Sequence, residues 1–359
     1  MAKLFTNPTG ALEYVEINVE AKYFGGRKHR ESFSSPELFK LLGELMASLY
    51  GRDLLSINDL TTEEIWTIIE TARALKNLHK SGVRVRVLEG KTVALMFKKP
   101  STRTRVSFQV AVAQLGGQSF YLRPEEMQLA RGETIRDTAS VLDRYIDALV
   151  IRTFEQEEVE EYAKWMTKPV INALTDLEHP CQILADLLTI WEKKRRLEGL
   201  KVAYAGDIWN VAQSWMLAAP KMGIDLYIAR PPGYEPHPRI LEQATKLAKE
   251  YKTKLVVTSD LVEAVKDADV IYANTWFSMG KPEMEKEKRL KDFRPYQINA
   301  EVVKHAKEDF IFMHCLPAYW GNEATEDIAY GPHSVIFDQA ENRLHAQKAI
   351  LALILAGGV

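Results

Sequence analysis

The feature that most constrains this chain is an alternation of short apolar runs with longer amphipathic ones. Lys91–Phe97 (KTVALMF), Asp147–Arg152 (DALVIR) and Pro169–Ala173 (PVINA) have strand length and are rich in Val, Ile, Leu and Ala. Helical segments follow them, at Ser101–Leu115, Val159–Met166 and Gln182–Arg195. A strand that is apolar throughout is buried on both faces, and strands separated by helices pair in parallel. The pattern resumes with strands at Lys201–Ala205, Asp225–Ala229, Lys254–Thr258, Val270–Ala273 and Phe310–His314. Two runs predict two doubly wound parallel-sheet α/β domains joined by interdomain helices, with Gln182–Arg195 as the connector. Thr61 or Thr62 caps a helix reaching Leu78, with Glu63 and Glu64 in its first turn.

The first fifty residues stand apart. Ser35-Pro36 opens a stretch with Leu38, Phe39, Leu41, Leu42, Leu45, Met46 and Leu49 at helical spacing, so an N-terminal helical extension over 1–50 is predicted. The carved units are 1–50, 51–183 and 184–339, with a last helix near 342–355, inside 340–359, packing back on the first domain. A chain of 359 residues suits two domains.

Composition narrows the function classes. The formal net charge is −2 and the basic residues are dispersed, which argues against a nucleic-acid partner. No apolar stretch reaches the length of a membrane span, so no membrane partner is expected. Cys181 and Cys315 are the two cysteines and neither lies in a CxxC pair, so no metal site and no disulfide are expected. The N-terminus lacks the apolar core of a signal peptide, and the expected location is cytoplasmic.

Four segments carry chemistry, each at or near the end of a predicted strand. Ser101-Thr102-Arg103-Thr104 opens a helix. Helix N–H groups, hydroxyls and a guanidinium make a phosphate cradle; the same residues also make a well-capped helix with a solvated arginine. His179-Pro180-Cys181-Gln182 sets an imidazole and an amide at another helix start, where both can donate to a carbonyl oxygen. A lone histidine is more often structural, but this one follows a predicted parallel strand, where open α/β sheets bind ligands. In His314-Cys315-Leu316-Pro317, Cys315 is either a nucleophile or a buried thiol. Ser278-Met279-Gly280 follows the strand VIYA and is a weak signal alone.

Taken together, STRT, HPxQ, SMG and HCLP in this order resemble the ornithine carbamoyltransferases, from about Leu54 to the C-terminus. Gln128, Arg152 and Arg343 fall at matching places. The resemblance implies a carbamoyl-phosphate domain, an amino-acid domain and a cleft between them, with no cofactor, no metal and no covalent enzyme intermediate. It implies that Ser101, Thr102, Arg103 and Thr104 hold phosphate. Arg152, His179 and Gln182 would bind and polarise the carbamoyl oxygen, and Cys315, Leu316 and Arg343 would line the same pocket. Arg103, Arg152, His179, Gln182, Cys315 and Arg343 form the implied catalytic set. Gln128 would reach the phosphate of an adjacent subunit in a homotrimer or an assembly of trimers. On the amine side it implies Asn210, Asn274, Ser278 and Met279. The substrates implied are carbamoyl phosphate and ornithine or a related amine, with citrulline and phosphate as products.

The chain departs from that pattern on the amine side. Asn274 stands where the family has an acid, Trp209 where a small polar residue is common, and Trp320 where a base is common. Lys98, Gln109 and Gln339 also occupy positions often acidic. Besides ornithine transfer, two other readings stay open here: a different amine acceptor, and a catalytically quiet carbamoyl-phosphate-binding paralogue.

Overall fold

The computed structural model describes residues 2–6, 12–17, 49–277 and 283–356. The extension carries an antiparallel hairpin of β1 (Ala2–Thr6) and β2 (Leu12–Ile17). Two parallel sheets organise the rest. The first is built from β3 (Thr92–Phe97), β4 (Gln118–Leu122), β5 (Ala148–Arg152) and β6 (Val170–Leu174), in the order β4-β3-β5-β6. The second is built from β7 (Lys201–Ala205), β8 (Asp225–Ala229), β9 (Leu255–Thr258), β10 (Val270–Ala273) and β11 (Ile311–His314), in the order β11-β10-β7-β8-β9. The expected two-domain α/β architecture is therefore what the chain adopts.

Two features depart from expectation. One is the antiparallel pair β1–β2, in a stretch to which the sequence reading assigned no element. The helix expected from Pro36 lies, up to residue 48, outside the described residues. The other is β4, which the sequence reading omitted. Its residues QSFYL are exposed or half-buried, as suits an edge strand with little core to face.

Local chemistry accounts for the helix boundaries. Thr61 accepts from the Glu64 N–H at 3.2 Å while the Glu64 carboxylate accepts from the Thr61 N–H at 2.9 Å, a reciprocal cap for helix Thr62–Lys80. Helix Pro180–Lys194 is buried at every position from Pro180 to Ile190. A helix buried on all sides must be covered on all sides. Helices Thr62–Lys80, Ile336–Ala356 and Asn210–Lys221 cover it, so it is the packing axis between the two sheets.

Helix Ile336–Ala356 starts beside β11 and ends against helices Thr62–Lys80 and Thr102–Gln114. It begins at Ile336, earlier than the start expected near Asn342. Lys76 fastens it, with Nζ 2.7 Å from Asn342 Oδ1 and 2.9 Å from Glu192 Oε2. Gly51 N–H donates to Ile354 O at 2.9 Å and closes the first domain. Among the described residues no helix is long and apolar enough to cross a membrane.

Candidate active site

The register of the sheets decides where the site lies. Phe97 pairs with Arg152 and Arg152 with Leu174, so β3, β5 and β6 end level. Ala205, Ala273 and His314 likewise end level in the second sheet. The chemistry-bearing segments leave these strands at their carboxyl ends, where open parallel sheets place ligands.

Ser101 caps helix Thr102–Gln114 by accepting from Thr104 N–H at 3.2 Å. The buried Thr104 hydroxyl then meets two guanidinium groups: Arg152 Nη1 at 3.4 Å and Arg343 Nη2 at 3.2 Å. Both arginines are buried, and neither has a carboxylate ion pair among the described residues. Each also has a buried Nε without a hydrogen-bond partner among the described residues. Burial, with Arg343 and Arg103 nearby, draws the Arg152 pKa down to about 10, still charged at neutral pH. Burial lowers that of Arg343 as well. Buried cations at a helix N-terminus form a strongly anion-seeking surface.

Arg343 Nη1 donates to Gln182 Oε1 at 2.6 Å, and Gln182 Nε2 to Asp186 Oδ1 at 2.8 Å. Asp186 is fully buried and also accepts from Gln339 Nε2 at 2.8 Å. Burial pushes the Asp186 carboxyl up to about 6, against the hydrogen bonds from Gln182 and Gln339. Gln339 reaches on to Tyr272 at 3.1 Å and accepts the His314 N–H at 2.9 Å. One polar chain thus runs from the phosphate-type cradle into the second sheet.

His179 is buried beside these arginines. Its N–H donates to Ser214 Oγ at 2.8 Å, and its Nδ1 has no hydrogen-bond partner among the described residues. Burial first, then Arg343, Arg152 and Arg103, holds its pKa well below the ordinary histidine range. The ring is therefore neutral at neutral pH and able to donate from one nitrogen. Glu178, next to it, accepts from Ser56 Oγ at 2.5 Å and Ile57 N–H at 3.0 Å and is pushed up to about 7 by burial.

The two readings of Cys315 now separate. Burial, with Asp186 adding, pushes its thiol up to about 12, and Sγ donates to Asn274 Oδ1 at 3.4 Å. A protonated thiol acting as a donor is no nucleophile. Leu316 has φ 57, the left-handed region, and its N–H donates to His314 Nδ1 at 2.9 Å.

On the other side, Asn210 begins helix Asn210–Lys221 and donates to Thr175 O at 2.7 Å. Asn274 donates to the Tyr204 hydroxyl at 2.7 Å, and that hydroxyl donates to Asp207 O at 3.0 Å. Ser278 and Met279 lie outside the described residues. Thr102 is exposed and Arg103 half-buried at the cradle's rim. Gln128 is exposed on the turn Gln128–Arg131, with no side-chain hydrogen bond among the described residues.

Several departures from the family pattern acquire local reasons. Gln339 donates to a buried carboxylate, which an ionised acid at that place could not do. Lys98 pairs with Glu158 at 2.5 Å. Trp320 packs edge-on to His314 at 5.4 Å and donates to the Tyr330 hydroxyl at 2.7 Å. Trp209 is half-buried at the cap of helix Asn210–Lys221. Nothing in the structure explains Gln109. The sequence reading missed Asp186, whose signal was its place one helical turn after Gln182. It also missed Gly206, where a Cβ would lie 2.5 Å from Asn274 O. Among the described residues no group of three or more His, Cys, Asp or Glu side chains is arranged to hold a metal ion.

Comparison with known proteins agrees with this geometry. Residues 52–192 match the family model described as the aspartate/ornithine carbamoyltransferase carbamoyl-P binding domain, and residues 198–354 match its Asp/Orn binding domain. The chain is 55% identical to an anabolic ornithine carbamoyltransferase of Pyrococcus furiosus over 313 residues, covering 87% of this chain and 99% of that one. It is 53% identical to an ornithine carbamoyltransferase of Carboxydothermus hydrogenoformans over 311 residues, covering 87% and 100%. Among solved structures, an ornithine carbamoyltransferase from Pyrococcus furiosus superposes with TM-score 0.83 at 56% identity, covering 87% of this chain and 99% of that one. One from Gloeobacter violaceus superposes with TM-score 0.76 at 44% identity, covering 85% and 99%. On both halves of the fold, this chain belongs to the aspartate/ornithine carbamoyltransferase family.

Proposed function

We propose that this enzyme transfers the carbamoyl group of carbamoyl phosphate to the side-chain amine of L-ornithine, giving L-citrulline and phosphate. The observation that carries the reading is the convergence of Arg152 and Arg343 on the Thr104 hydroxyl, beside a neutral His179. Relatives that are named ornithine carbamoyltransferases and share more than half of their residues with this chain support ornithine as the acceptor.

The first domain, residues 51–183 with the helix at the C-terminus, binds carbamoyl phosphate; residues 184–339 bind the amino acid. Ser101, Thr102, Arg103 and Thr104 take the phosphate. Arg152, His179 and Gln182 take the carbamoyl oxygen, while Cys315, Leu316 and Arg343 line the pocket. The neutral amine attacks the carbamoyl carbon, a C–N bond forms, and the C–O bond to phosphate breaks. Charge developing on the carbamoyl oxygen meets the imidazole donor and the guanidinium groups, already oriented by their protein partners. The proton lost by nitrogen goes to the departing phosphate. Asn210 and Asn274, with Ser278 and Met279, hold the amino acid.

The protein acts as a homotrimer or an assembly of trimers, in which Gln128 completes a neighbour's site. The lack of a side-chain partner for Gln128 within the described chain, on a turn open to solvent, supports that role. It works in the cytoplasm, and the free thiols of Cys181 and Cys315 support a reducing compartment.

The test is an assay for ureido product with carbamoyl phosphate and ornithine, lysine, putrescine, diaminobutyrate and aspartate in parallel. Ornithine is expected to be used far better than the rest. Folded protein that forms no citrulline would overturn the reading.

A further inference from the structure

Leu316 poses a problem that its own chemistry does not solve. Its φ is 57, a region in which a Cβ crowds the backbone carbonyl and which residues other than glycine rarely adopt. Such a conformation persists only where surrounding groups hold it. The adjacent thiol of Cys315 points at Asn274, so Leu316 sits where the two halves of the site meet.

The holding groups are inside the protein. His314 and Glu323 are each 1% exposed. Leu316 N–H donates to His314 Nδ1 at 2.9 Å, so Nδ1 carries no proton and the ring's proton sits on Nε2. Nε2 lies 3.3 Å from Glu323 Oε1, within electrostatic reach of the carboxylate, and makes no hydrogen bond among the described residues. The same carboxylate oxygen accepts the Tyr319 N–H at 2.8 Å. His314 N–H is fixed by Gln339 at 2.9 Å, and the edge of Trp320 covers the ring. A carboxylate beside one nitrogen selects the tautomer in which the other accepts, much as outer partners orient metal-bound imidazoles.

We propose that His314 and Glu323 are positioning residues of the carbamoyl-phosphate pocket, the carboxylate fixing the imidazole tautomer so that Nδ1 holds the Leu316 backbone in its left-handed conformation. Neither side chain needs to touch substrate. Their effect is to aim the backbone that follows Cys315. The assignment rests on the carbamoyltransferase reading for its purpose, and on the Leu316–His314 hydrogen bond and the close approach of Glu323 to Nε2 for its geometry.

The experiment compares His314→Leu, His314→Asn, Glu323→Gln and Glu323→Leu in the full-length enzyme, by steady-state kinetics and by crystal structures. The His314→Asn side chain would offer an amide oxygen near the place of Nδ1, and Glu323→Gln would keep an uncharged oxygen acceptor. His314→Leu and Glu323→Leu are expected to raise KM for carbamoyl phosphate about tenfold or more, with little change in KM for ornithine. His314→Asn and Glu323→Gln are expected to recover most of the loss. The structures are expected to show residue 316 leaving the left-handed region in the two leucine variants only, a readout that holds whatever the enzyme's substrate is. If His314→Leu does not fold, Glu323→Leu carries the comparison. Leucine variants that keep Leu316 at its present φ, or an asparagine variant as impaired as the leucine one, would overturn the proposal.

Discussion

Gly206 and the carbonyl oxygen of Asn274 approach so closely that a Cβ on residue 206 would lie 2.5 Å from that oxygen. The φ of Gly206 is 146, outside the range that side-chain-bearing residues favour. The obstructing atom is backbone, so no rotamer change relieves the clash. Gly206→Ala is expected to destabilise the protein by about 2–4 kcal/mol and to raise KM for ornithine, since Asn274 must shift. Urea denaturation and kinetics with ornithine varied check both; a variant with wild-type stability would show that the two turns are not in register as described.

Asn274 sits between two fixed partners, donating to Tyr204 and accepting from Cys315. The Tyr204 proton is already committed to Asp207 O. Asn274→Asp would set a carboxylate against a hydroxyl oxygen with no proton to offer it. The expected result is a loss of about 1–3 kcal/mol in stability, together with tighter ornithine binding at low ionic strength, from the added charge beside the ammonium. A thermal melt and KM for ornithine at two salt concentrations separate these effects.

Arg343 makes bonds in two directions, to Gln182 and to Thr104. Lysine keeps the charge but cannot span both. Arg343→Lys is expected to lower kcat/KM for carbamoyl phosphate about 100-fold or more, the scale of losing an oriented donor to developing charge. Circular dichroism matching the wild type would assign the loss to the site, and unchanged kinetics would remove Arg343 from it.

Glu178 gives the fold a pH signature. Burial raises its carboxyl from the ordinary value to about 7, so the folded state holds the proton more tightly than the unfolded chain. The contribution is present below about pH 4.5 and is lost as pH rises through 7, on the order of 3 kcal/mol in all at ~1.4 kcal/mol per pH unit. Lys221 is bonded nearby to Asn58 O and Leu60 O and moderates the loss. Glu178→Gln is expected to flatten this part of the stability profile between about pH 5 and 8 in urea titrations. Parallel profiles for the two proteins would mean that Glu178 is ionised throughout.

What was legible in the sequence follows physical lines. The buried strands β3, β5, β6, β7 and β10 were found because burial on both faces leaves an apolar run. β4 and the β1–β2 hairpin were not, since half-exposed strands mix polar and apolar residues and a pairing depends on its partner. Site residues inside short motifs were visible by type and order. Asp186, Glu323 and Gly206 were not, because their importance lies in who faces them after folding: Gln339 across 153 residues, His314 at the end of β11, Asn274 at the end of the neighbouring strand.

Helix Ile336–Ala356 has a consequence for biosynthesis. It closes the first domain with residues that follow the second in the chain, and Gly51 N–H donates to Ile354 O. On the ribosome the first sheet can pair as it emerges, yet helices Thr62–Lys80 and Thr102–Gln114 stay uncovered on one side until the second domain has been translated. The first domain is therefore expected to wait for the second, making the chain's maturation one closing step rather than two successive ones.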